Sequence, residues 1–343
     1  MPENHFRSYL NSAVQLLAGV LIIAGIVIVL QYLVGFVQVQ SAPQGWQIIR
    51  PPHEVSTLII ENDTVWTGGK DGVVVIDRLT GTQIGTPAPA PSFGYVRQIF
   101  RDRDGWIWVG HDGGLARFRN GSWHIIAPAP GVPFSKVLSI VQRGDGTLVV
   151  GTDTDVLSYR DGSWASLLGQ GAPTIASADV LLEDSSGSLW VGCGQPTRGG
   201  LYRLSGTAWS SFTISDGLPH LSVRGITQAR DGTIWVATGF SRHGGAARYS
   251  GGKWTNLTVQ DGLAGESTRS VYEDNAGRMW IGSEYDGVTV GTPHAWTILT
   301  DKDGLAGYEV KVVVQDLDGT YWLGTNSGLN RVERAAVLQA IAG

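Results

Sequence analysis

The chain has 343 residues and a formal net charge of −5, and it lacks a stripe of lysine or arginine, which argues against nucleic acid as a partner. Its single cysteine excludes an internal disulfide. The sequence also contains no P-loop, no Gly-x-Ser-x-Gly elbow and no His-Glu-x-x-His motif. We therefore expect a protein that is not an enzyme, with no catalytic residue, metal or cofactor.

An apolar segment comes first along the chain. No charged residue occurs between Arg7 and Arg50, and residues 13–37 are long and apolar enough to span a bilayer. A cleavable signal peptide is the alternative, but it would have a shorter apolar region and a small-x-small cleavage site. We predict a short cytoplasmic head (1–12), one transmembrane helix (13–37) and a linker (38–44). Arg7 favours an N-terminus that stays inside.

Small residues are concentrated on one side of the predicted membrane helix. Such residues let membrane helices pack closely against each other. We therefore expect contact with other membrane protein subunits through Ala18, Gly19, Ala24 and Gly25.

The remainder of the chain repeats one phrase seven times, a Gly turn followed by a short strand with a central aromatic residue. Aligned on that residue, the steps are 42, 41, 41, 45, 45 and 42 residues, at Trp66, Trp108, Val149, Trp190, Trp235, Trp280 and Trp322. A period of about 40 to 45 residues with short strands predicts the blades of a β-propeller. We predict one such domain over residues 45–333, followed by a tail at 334–343.

Each blade should contain four antiparallel strands, as the alternation and turns of residues 223–259 indicate. The seventh unit has only three, and Gly45 to Ile49 resembles a missing fourth strand. The predicted fold class is therefore all-β: a seven-bladed β-propeller of four-stranded blades, closed by an N-terminal strand and preceded by one transmembrane helix. Fourth-strand tryptophans should pack between blades rather than bind sugars, because they are spread around the ring: Trp123, Trp164, Trp209, Trp254 and Trp296.

The predicted topology defines two faces. The Asp-Gly face carries the hairpins between strands one and two and between strands three and four, and the chain enters and ends on it. The distal face carries the loops between strands two and three. Since residues 38–44 reach at most about 25 Å, the Asp-Gly face should lie near the membrane.

Two blades carry insertions on the distal face. Their second-strand and fourth-strand aromatic positions are 19 residues apart, whereas blades two, three and six have 15 or 16. The additional residues fall in the loops 193–199 and 239–244. Because insertions on one face of a repeat fold often mark a binding face, the candidate contact patch is Gln195, Arg198, Phe240, Arg242 and His243. The alternative is that these hairpins vary in length without a function.

Other candidate side chains favour structural roles. Carboxylates recur at the turns, where Asp bonds its own backbone: Asp104, Asp145, Asp184, Asp231, Asp274 and Asp318. His111, His220 and His243 belong to different parts of the ring, so a metal site is not expected.

The phrase from Asp216 to Tyr249, Asp-Gly-Leu, Val-Arg-x-Ile, Asp-Gly-x-Ile-Trp-Val and Gly-Gly-x-x-Arg-Tyr, resembles the two-component regulator propeller repeat. The resemblance implies a bacterial, periplasmic recognition domain of the kind found in hybrid histidine kinases, although this chain has no kinase part. Streptogramin lyase, a seven-bladed enzyme, has similar Asp-x-x-Gly-x-x-Trp repeats. Its resemblance would imply a catalytic histidine and a carboxylate-held Mg²⁺, but its Trp-Phe-Thr-Glu phrase is missing here.

These observations predict a non-catalytic accessory subunit of a complex in the bacterial cytoplasmic membrane, docked through its anchor and one propeller face. A sensor subunit that binds a small molecule and signals through a separate partner is the first alternative. A lyase-like enzyme that depends on His243 or His111 is the second.

Overall fold

The computed structural model describes residue 25 and residues 42–128, 131–132, 134–293 and 295–342. Its strands, in chain order, are β1 (Trp46–Ile49), β2 (Thr57–Glu61), β3 (Thr64–Gly69), β4 (Gly72–Asp77), β5 (Val96–Arg101), β6 (Ile107–His111), β7 (Gly114–Arg119), β8 (Ser122–Ile126), β9 (Val137–Gln142), β10 (Leu148–Thr152), β11 (Val156–Arg160), β12 (Ser163–Ser166), β13 (Val180–Glu183), β14 (Leu189–Cys193), β15 (Gly200–Ser205), β16 (Ala208–Phe212), β17 (Val223–Gln228), β18 (Ile234–Phe240), β19 (His243–Ser250), β20 (Lys253–Leu257), β21 (Thr268–Glu273), β22 (Met279–Ser283), β23 (Val288–Thr292), β24 (Ala295–Leu299), β25 (Val310–Gln315), β26 (Tyr321–Thr325) and β27 (Gly328–Val332). A helix, α1 (Arg334–Ala342), follows the last strand.

These strands form seven antiparallel sheets, which are the blades of a propeller. The predicted closure is confirmed, because β1 is the outer strand of the seventh sheet, with Trp46 opposite Val332 and Ile49 opposite Leu329. The last strand also ends beside the start of the first one, since the Glu333 amide donates to the Gly45 carbonyl at 2.8 Å. Ala336 and Val337 of α1 are buried against the propeller.

Blade one differs from the predicted four strands, because its sheet contains only β2, β3 and β4. After β4 the chain turns back and forms a single isolated bridge, Ile76 with Gln83. Proline then recurs at Pro87, Pro89 and Pro91. Because proline has no amide hydrogen to donate, a regular fourth strand cannot continue through this segment.

The core of the molecule lies between adjacent blades. One cluster joins Val149 and Val156 of blade three to Leu189 and Val191 of blade four, and equivalent clusters join the other neighbours for which one is described. The fourth-strand tryptophans are half-buried at these junctions; Trp254, for example, lies 5.7 Å from the Phe212 ring of blade four. This packing is the one predicted from their spacing around the ring.

Glycine in the second strand allows the blades to approach closely. A methyl group on Gly192 would lie 2.6 Å from a Val180 methyl of the same blade and 2.8 Å from a Val223 methyl of the next blade. Blade five reverses this cross-strand pair, with Ala237 in the second strand and Gly225 opposite it in the first. In both blades, one member of this cross-strand pair is therefore glycine, in the second strand of blade four and in the first strand of blade five.

The Asp-Gly-Leu phrases close three of the connections between blades. In each one a Thr forms a reciprocal capping box with the Asp three residues later, around a short 3₁₀ turn. The leucine that follows is almost fully buried, with 2% exposure at Leu218. The motif therefore fixes the return of the chain from the outer strand of one blade to the inner strand of the next.

Within the described residues, no helix combines the length and the apolar character that a membrane crossing requires. The predicted transmembrane helix lies outside the described part except for Gly25, which is helical. Ala18, Gly19 and Ala24 likewise fall outside it.

Candidate functional site

The first strand of most blades begins with a β-bulge. The pairing with the second strand skips one residue in five blades: Arg97, Leu138, Arg224, Arg269 and Lys311. In the other two blades Ser56 and Asp179 occupy the corresponding position, and their amides bond to Gly68 and Gly192. A bulge adds one residue to a strand and redirects its side chain. Here it sends four cationic side chains toward the axis of the ring.

These side chains line a cavity of about 280 Å³ where the central channel opens on the distal face. We call it the channel-mouth cavity, and its lining residues are Ser56, Tyr95, Arg97, Leu138, Asp179, Arg224, Arg269, Glu309 and Lys311. Every blade contributes at least one of them. The cavity is therefore central and belongs to the whole ring.

Carboxylates compensate the cations of this cavity. Arg97 makes two bonds to Asp112, at 2.7 and 2.9 Å. The remaining pairs are Arg224 with Asp179 at 3.1 Å, Arg269 with Glu284 and with Glu309 at 3.2 Å, and Lys311 with Glu54 at 2.5 Å and with Glu309 at 3.4 Å. Three of these carboxylates, Asp112, Glu284 and Glu54, do not line the cavity itself.

The two guanidinium groups of Arg97 and Arg224 have opposite electrostatic environments. The hydrogen bonds to Asp112 raise the pKa of Arg97 above its ordinary value, against the effect of burial. At Arg224 burial lowers the pKa, and the charge of Asp179 offsets that only in part while the neighbouring Arg269 adds to it. Arg224 is therefore the less compensated of these two cations.

The five residues of the predicted contact patch are all exposed. Gln195 and Arg198 lie in the loop between β14 and β15, whereas Phe240, Arg242 and His243 lie at the tip of the β18–β19 hairpin. Buried Ser222 connects the bases of the two loops. Its hydroxyl donates to the Gly194 carbonyl at 2.8 Å, and its carbonyl accepts from Gly239 at 2.9 Å.

The β18–β19 hairpin ends in a two-residue turn in which Ser241 and Arg242 have φ values of 50° and 63°. Phe240 pairs with His243 across this turn. The Arg242 guanidinium lies 4.6 Å from the centre of the Tyr285 ring and 3.7 Å from Asp286, both in blade six. The hairpin thus bridges two blades on the distal face.

Apolar side chains are also exposed elsewhere on the distal face. Phe240 is 43% exposed, and Ile214, Val259 and Tyr308, on the connections between blades, are 57%, 36% and 55% exposed. By the topology of the blades, these connections lie on the distal face as well.

The single cysteine has the structural position that its context suggests. Cys193 is fully buried at the end of β14, and its thiol lies 3.5 Å from the Ser177 hydroxyl. It replaces the threonine or serine of neighbouring blades and is not on the exposed patch.

Five of the six predicted turn carboxylates bond their own backbone, with Asp145 accepting from the Thr147 amide and Asp231 from the Thr233 amide, both at 2.9 Å. The prediction was wrong for Asp104, because in blade two Asp102 takes this role and accepts from the Trp106 amide at 2.8 Å. In several turns the carboxylate also accepts a hydrogen bond from a tryptophan indole; for example, Trp190 donates to Asp184 at 2.7 Å. Among the residues that the structure describes, no group of three or more His, Cys, Asp or Glu side chains is arranged to hold a metal.

The histidines are dispersed. His111 is buried against Phe93, and burial lowers its pKa. Burial also lowers the pKa of His220, with a smaller effect from nearby His243. His220 lies in the connection between β16 and β17 and His243 at the start of β19, so both are on the distal face.

The channel-mouth cavity was also missed by the sequence analysis. Its signal was present in the Val-Arg-x-Ile phrase, because a charged residue follows the first apolar residue of the inner strand at Arg97, Arg224 and Lys311. Their recurrence at one repeat position could have indicated a ring.

Comparisons with known proteins agree with this geometry. Residues 91–113, 217–240 and 262–285 match the family model described as two component regulator propeller. The chain carries two component regulator propeller repeats. A comparison with curated proteins found no match.

Several solved structures share the fold of this propeller. The extracellular domain of a hybrid two component system from B. thetaiotaomicron is 18% identical, with a TM-score of 0.71 over 85% of this chain and 42% of that one. Virginiamycin B lyase from Staphylococcus aureus is 14% identical, with a TM-score of 0.63 over 84% and 98%. PorZ from Porphyromonas gingivalis, a surface component of the type-IX secretion system, is 14% identical, with a TM-score of 0.61 over 82% and 46%. This chain thus spans less than half the length of the first and third of these chains.

Proposed function

We propose that this propeller is a non-catalytic recognition subunit of a bacterial membrane complex, anchored through residues 13–37, which binds a partner protein through its distal face. The observation that supports this proposal is the β18–β19 hairpin, which presents Phe240 and Arg242 on the distal face, the face to which exposed Ile214 and Val259 also belong. Aromatic and arginine side chains contribute most strongly to protein interfaces. The regulator repeats and the likeness to extracellular domains support a sensor or interaction role.

The hairpin is suited to recognition because its geometry is fixed before a partner binds. Two consecutive residues with positive φ form the kind of tight turn that matches the twist of paired strands. Arg242 is further restrained by the Tyr285 ring and Asp286. A restrained side chain loses less conformational entropy on binding than a free one.

The placement of the first and last residues of the propeller supports the proposed orientation. Both Gly45 and Glu333 are on the Asp-Gly face, where their backbones bond to each other. We propose that the distal face, which carries neither Gly45 nor Glu333, is the one that an extracytoplasmic partner contacts. The small residues of the anchor would provide a second contact, with membrane subunits.

Mass spectrometry of the proteins that co-purify with the full chain from native membranes in mild detergent tests the proposal. We expect stoichiometric membrane partners with the wild type. Phe240→Ala and Arg242→Ala should each weaken capture by at least about tenfold, as interface hot spots do. The matched controls are Ile125→Ala, on an exposed outer strand, and Arg160→Ala, with comparable side-chain exposure on the Asp-Gly face. These should retain the partners.

Recovery of the protein alone, or equal capture by the hairpin variants and the wild type, would contradict docking through this face. Replacement of residues 1–40 by an unrelated membrane anchor separates the two proposed contacts. Partners lost only in that exchange would assign binding to the anchor instead of the hairpin.

A sensor function is the second candidate, and the channel-mouth cavity is the observation that favours it. Stabilisation of the protein by a small molecule without turnover would support it. For the lyase alternative, we propose that this chain lacks such activity. Metal-dependent turnover that disappears on replacement of His243 or His111 would overturn that view.

A further inference from the structure

In the channel-mouth cavity most cations line the cavity, whereas most of their carboxylate partners lie behind them. Four cationic side chains line the cavity, namely Arg97, Arg224, Arg269 and Lys311, but only two carboxylates do, Asp179 and Glu309. The other three carboxylates of the network contact the cations without lining the cavity. The network as a whole has five carboxylates for four cations, but four of the six charged side chains that line the cavity are cations, so an anion on the axis meets mainly positive charge.

Arg224 offers unused hydrogen-bonding capacity at this site. One terminal nitrogen bonds Asp179 at 3.1 Å. The other terminal nitrogen has no hydrogen-bond partner among the described residues and can donate to a ligand, whereas Nε is buried out of its reach. A guanidinium presents five donors in a fixed plane that matches the geometry of a carboxylate. The neighbouring Arg269 has a like charge, so an anion between them would relieve their repulsion.

Size and polarity narrow the class of anion. The cavity of about 280 Å³ corresponds to roughly nine water molecules. Leu138 is the one aliphatic residue among those that line it, at the bulge position where neighbouring blades have charged residues. A small anion with a short apolar part fits this combination, with its carbon atoms against Leu138. Asp179 and Glu309 would disfavour a compact dianion such as phosphate.

We infer that the channel-mouth cavity binds a small organic anion through its carboxylate, with Arg224 as the principal contact. This site goes beyond the proposed docking function and does not depend on it, since the hairpin that would hold a partner is made of other residues.

Titration calorimetry of the full chain in mild detergent at low salt tests the inference. The probes are butyrate, its neutral isostere butyramide, and inorganic phosphate. We expect butyrate to bind with a Kd on the order of 1 mM, phosphate to bind more weakly, and butyramide not to bind. Because charged hydrogen bonds are strong, Arg224→Gln should weaken butyrate binding at least about tenfold.

Two further variants make the result specific. Arg160→Gln removes the same charge on the Asp-Gly face, where the side chain is 61% exposed, and should leave butyrate affinity unchanged. Leu138→Arg adds a fifth cation at a bulge position that already accommodates arginine in blades two, five and six, but it removes the aliphatic contact. The ratio of butyrate affinity to phosphate affinity should therefore fall. This shift provides a test even if Arg224→Gln does not fold.

Each other outcome overturns the inference. These outcomes are no butyrate binding by the wild type up to about 10 mM, equal binding of butyrate and butyramide, tighter binding of phosphate, or no change with Arg224→Gln and Leu138→Arg. Retention of membrane partners by Arg224→Gln would show that failure at this cavity leaves the docking proposal intact.

Discussion

Replacing Gly192 by alanine should destabilise the propeller through a steric conflict between blades four and five. The added methyl group would lie 2.6 Å from Val180 and 2.8 Å from Val223, both closer than van der Waals contact. Overpacking of a well-filled core typically costs about 1–3 kcal/mol. Since the neighbours belong to two different strands and both must move, we expect a loss of about 2–3 kcal/mol in the free energy of unfolding.

Blade five suggests a second test, because there the second strand has Ala237 and the first strand has Gly225 opposite it. In blade four the corresponding double variant is Gly192→Ala with Val180→Gly. The two changes should be non-additive, with a favourable coupling of about 1–2 kcal/mol, because the second removes one of the two clashes.

Urea unfolding followed by tryptophan fluorescence, on the wild type, both single variants and the double variant, measures this coupling. Gly169→Ala is the control, since an added methyl group there meets no atom within 4 Å; its change should stay within about 0.5 kcal/mol. Additive effects of the two blade-four substitutions would refute the steric argument.

Three further variants are predicted from packing and charge. Trp46→Ala should cost about 3–5 kcal/mol in thermal or urea unfolding, because it removes a buried ring from the closing strand; an unchanged stability would contradict the role of β1 in closure. Leu218→Ala should lower the free energy of unfolding by about 2–5 kcal/mol, because it empties a buried site. Ile214→Ala, four residues earlier and exposed, should leave stability almost unchanged. Differential scanning fluorimetry can compare the two variants. Burial alone would raise the pKa of Asp274, but hydrogen bonds from its neighbours outweigh that and lower the pKa below its ordinary value. Its ionised form therefore stabilises the fold above the unfolded-state pKa, and this contribution is lost as pH falls through the folded-state pKa. Asp274→Asn should thus lower the free energy of unfolding by about 3 kcal/mol at neutral pH and by progressively less in acid. The control is Asp161→Asn, where the side chain is 96% exposed and little change is expected. A difference in stability between wild type and Asp274→Asn that does not vary with pH would refute this assignment.

Regular spacing was sufficient to predict the ring and its closure. Seven equivalent positions, six of them Trp and one Val149, specify seven blades, and an unpaired strand pattern at Trp46 specifies which blade is completed by the N-terminal strand. Blade one was predicted less well, because the sequence between Asp77 and Val96 retains no regular alternation and its prolines interrupt pairing.

The channel-mouth cavity could not be derived from alternation alone. A bulge is a slip of one residue, and alternation does not show whether Arg224 or its neighbour is skipped. Partnerships such as Arg269 with Glu309 join different blades, so they depend on the three-dimensional arrangement. The exposed loops were located correctly from their length, while their role as a contact patch stays a prediction.

Closure by β1 has a consequence for the order of synthesis. The strand that completes the ring emerges first from the ribosome, but its partner β27 begins only at Gly328. At about 5–20 residues per second, ribosomes need roughly 14–60 s to synthesise the chain between the two strands. During that interval Trp46 has no native partner, and blade seven cannot form. The last strand of the propeller to be synthesised therefore pairs with the first one, so a ribosome that stalls before Gly328 leaves an open ring with an apolar, unpaired edge. Such an edge is the kind that aggregates or recruits a chaperone.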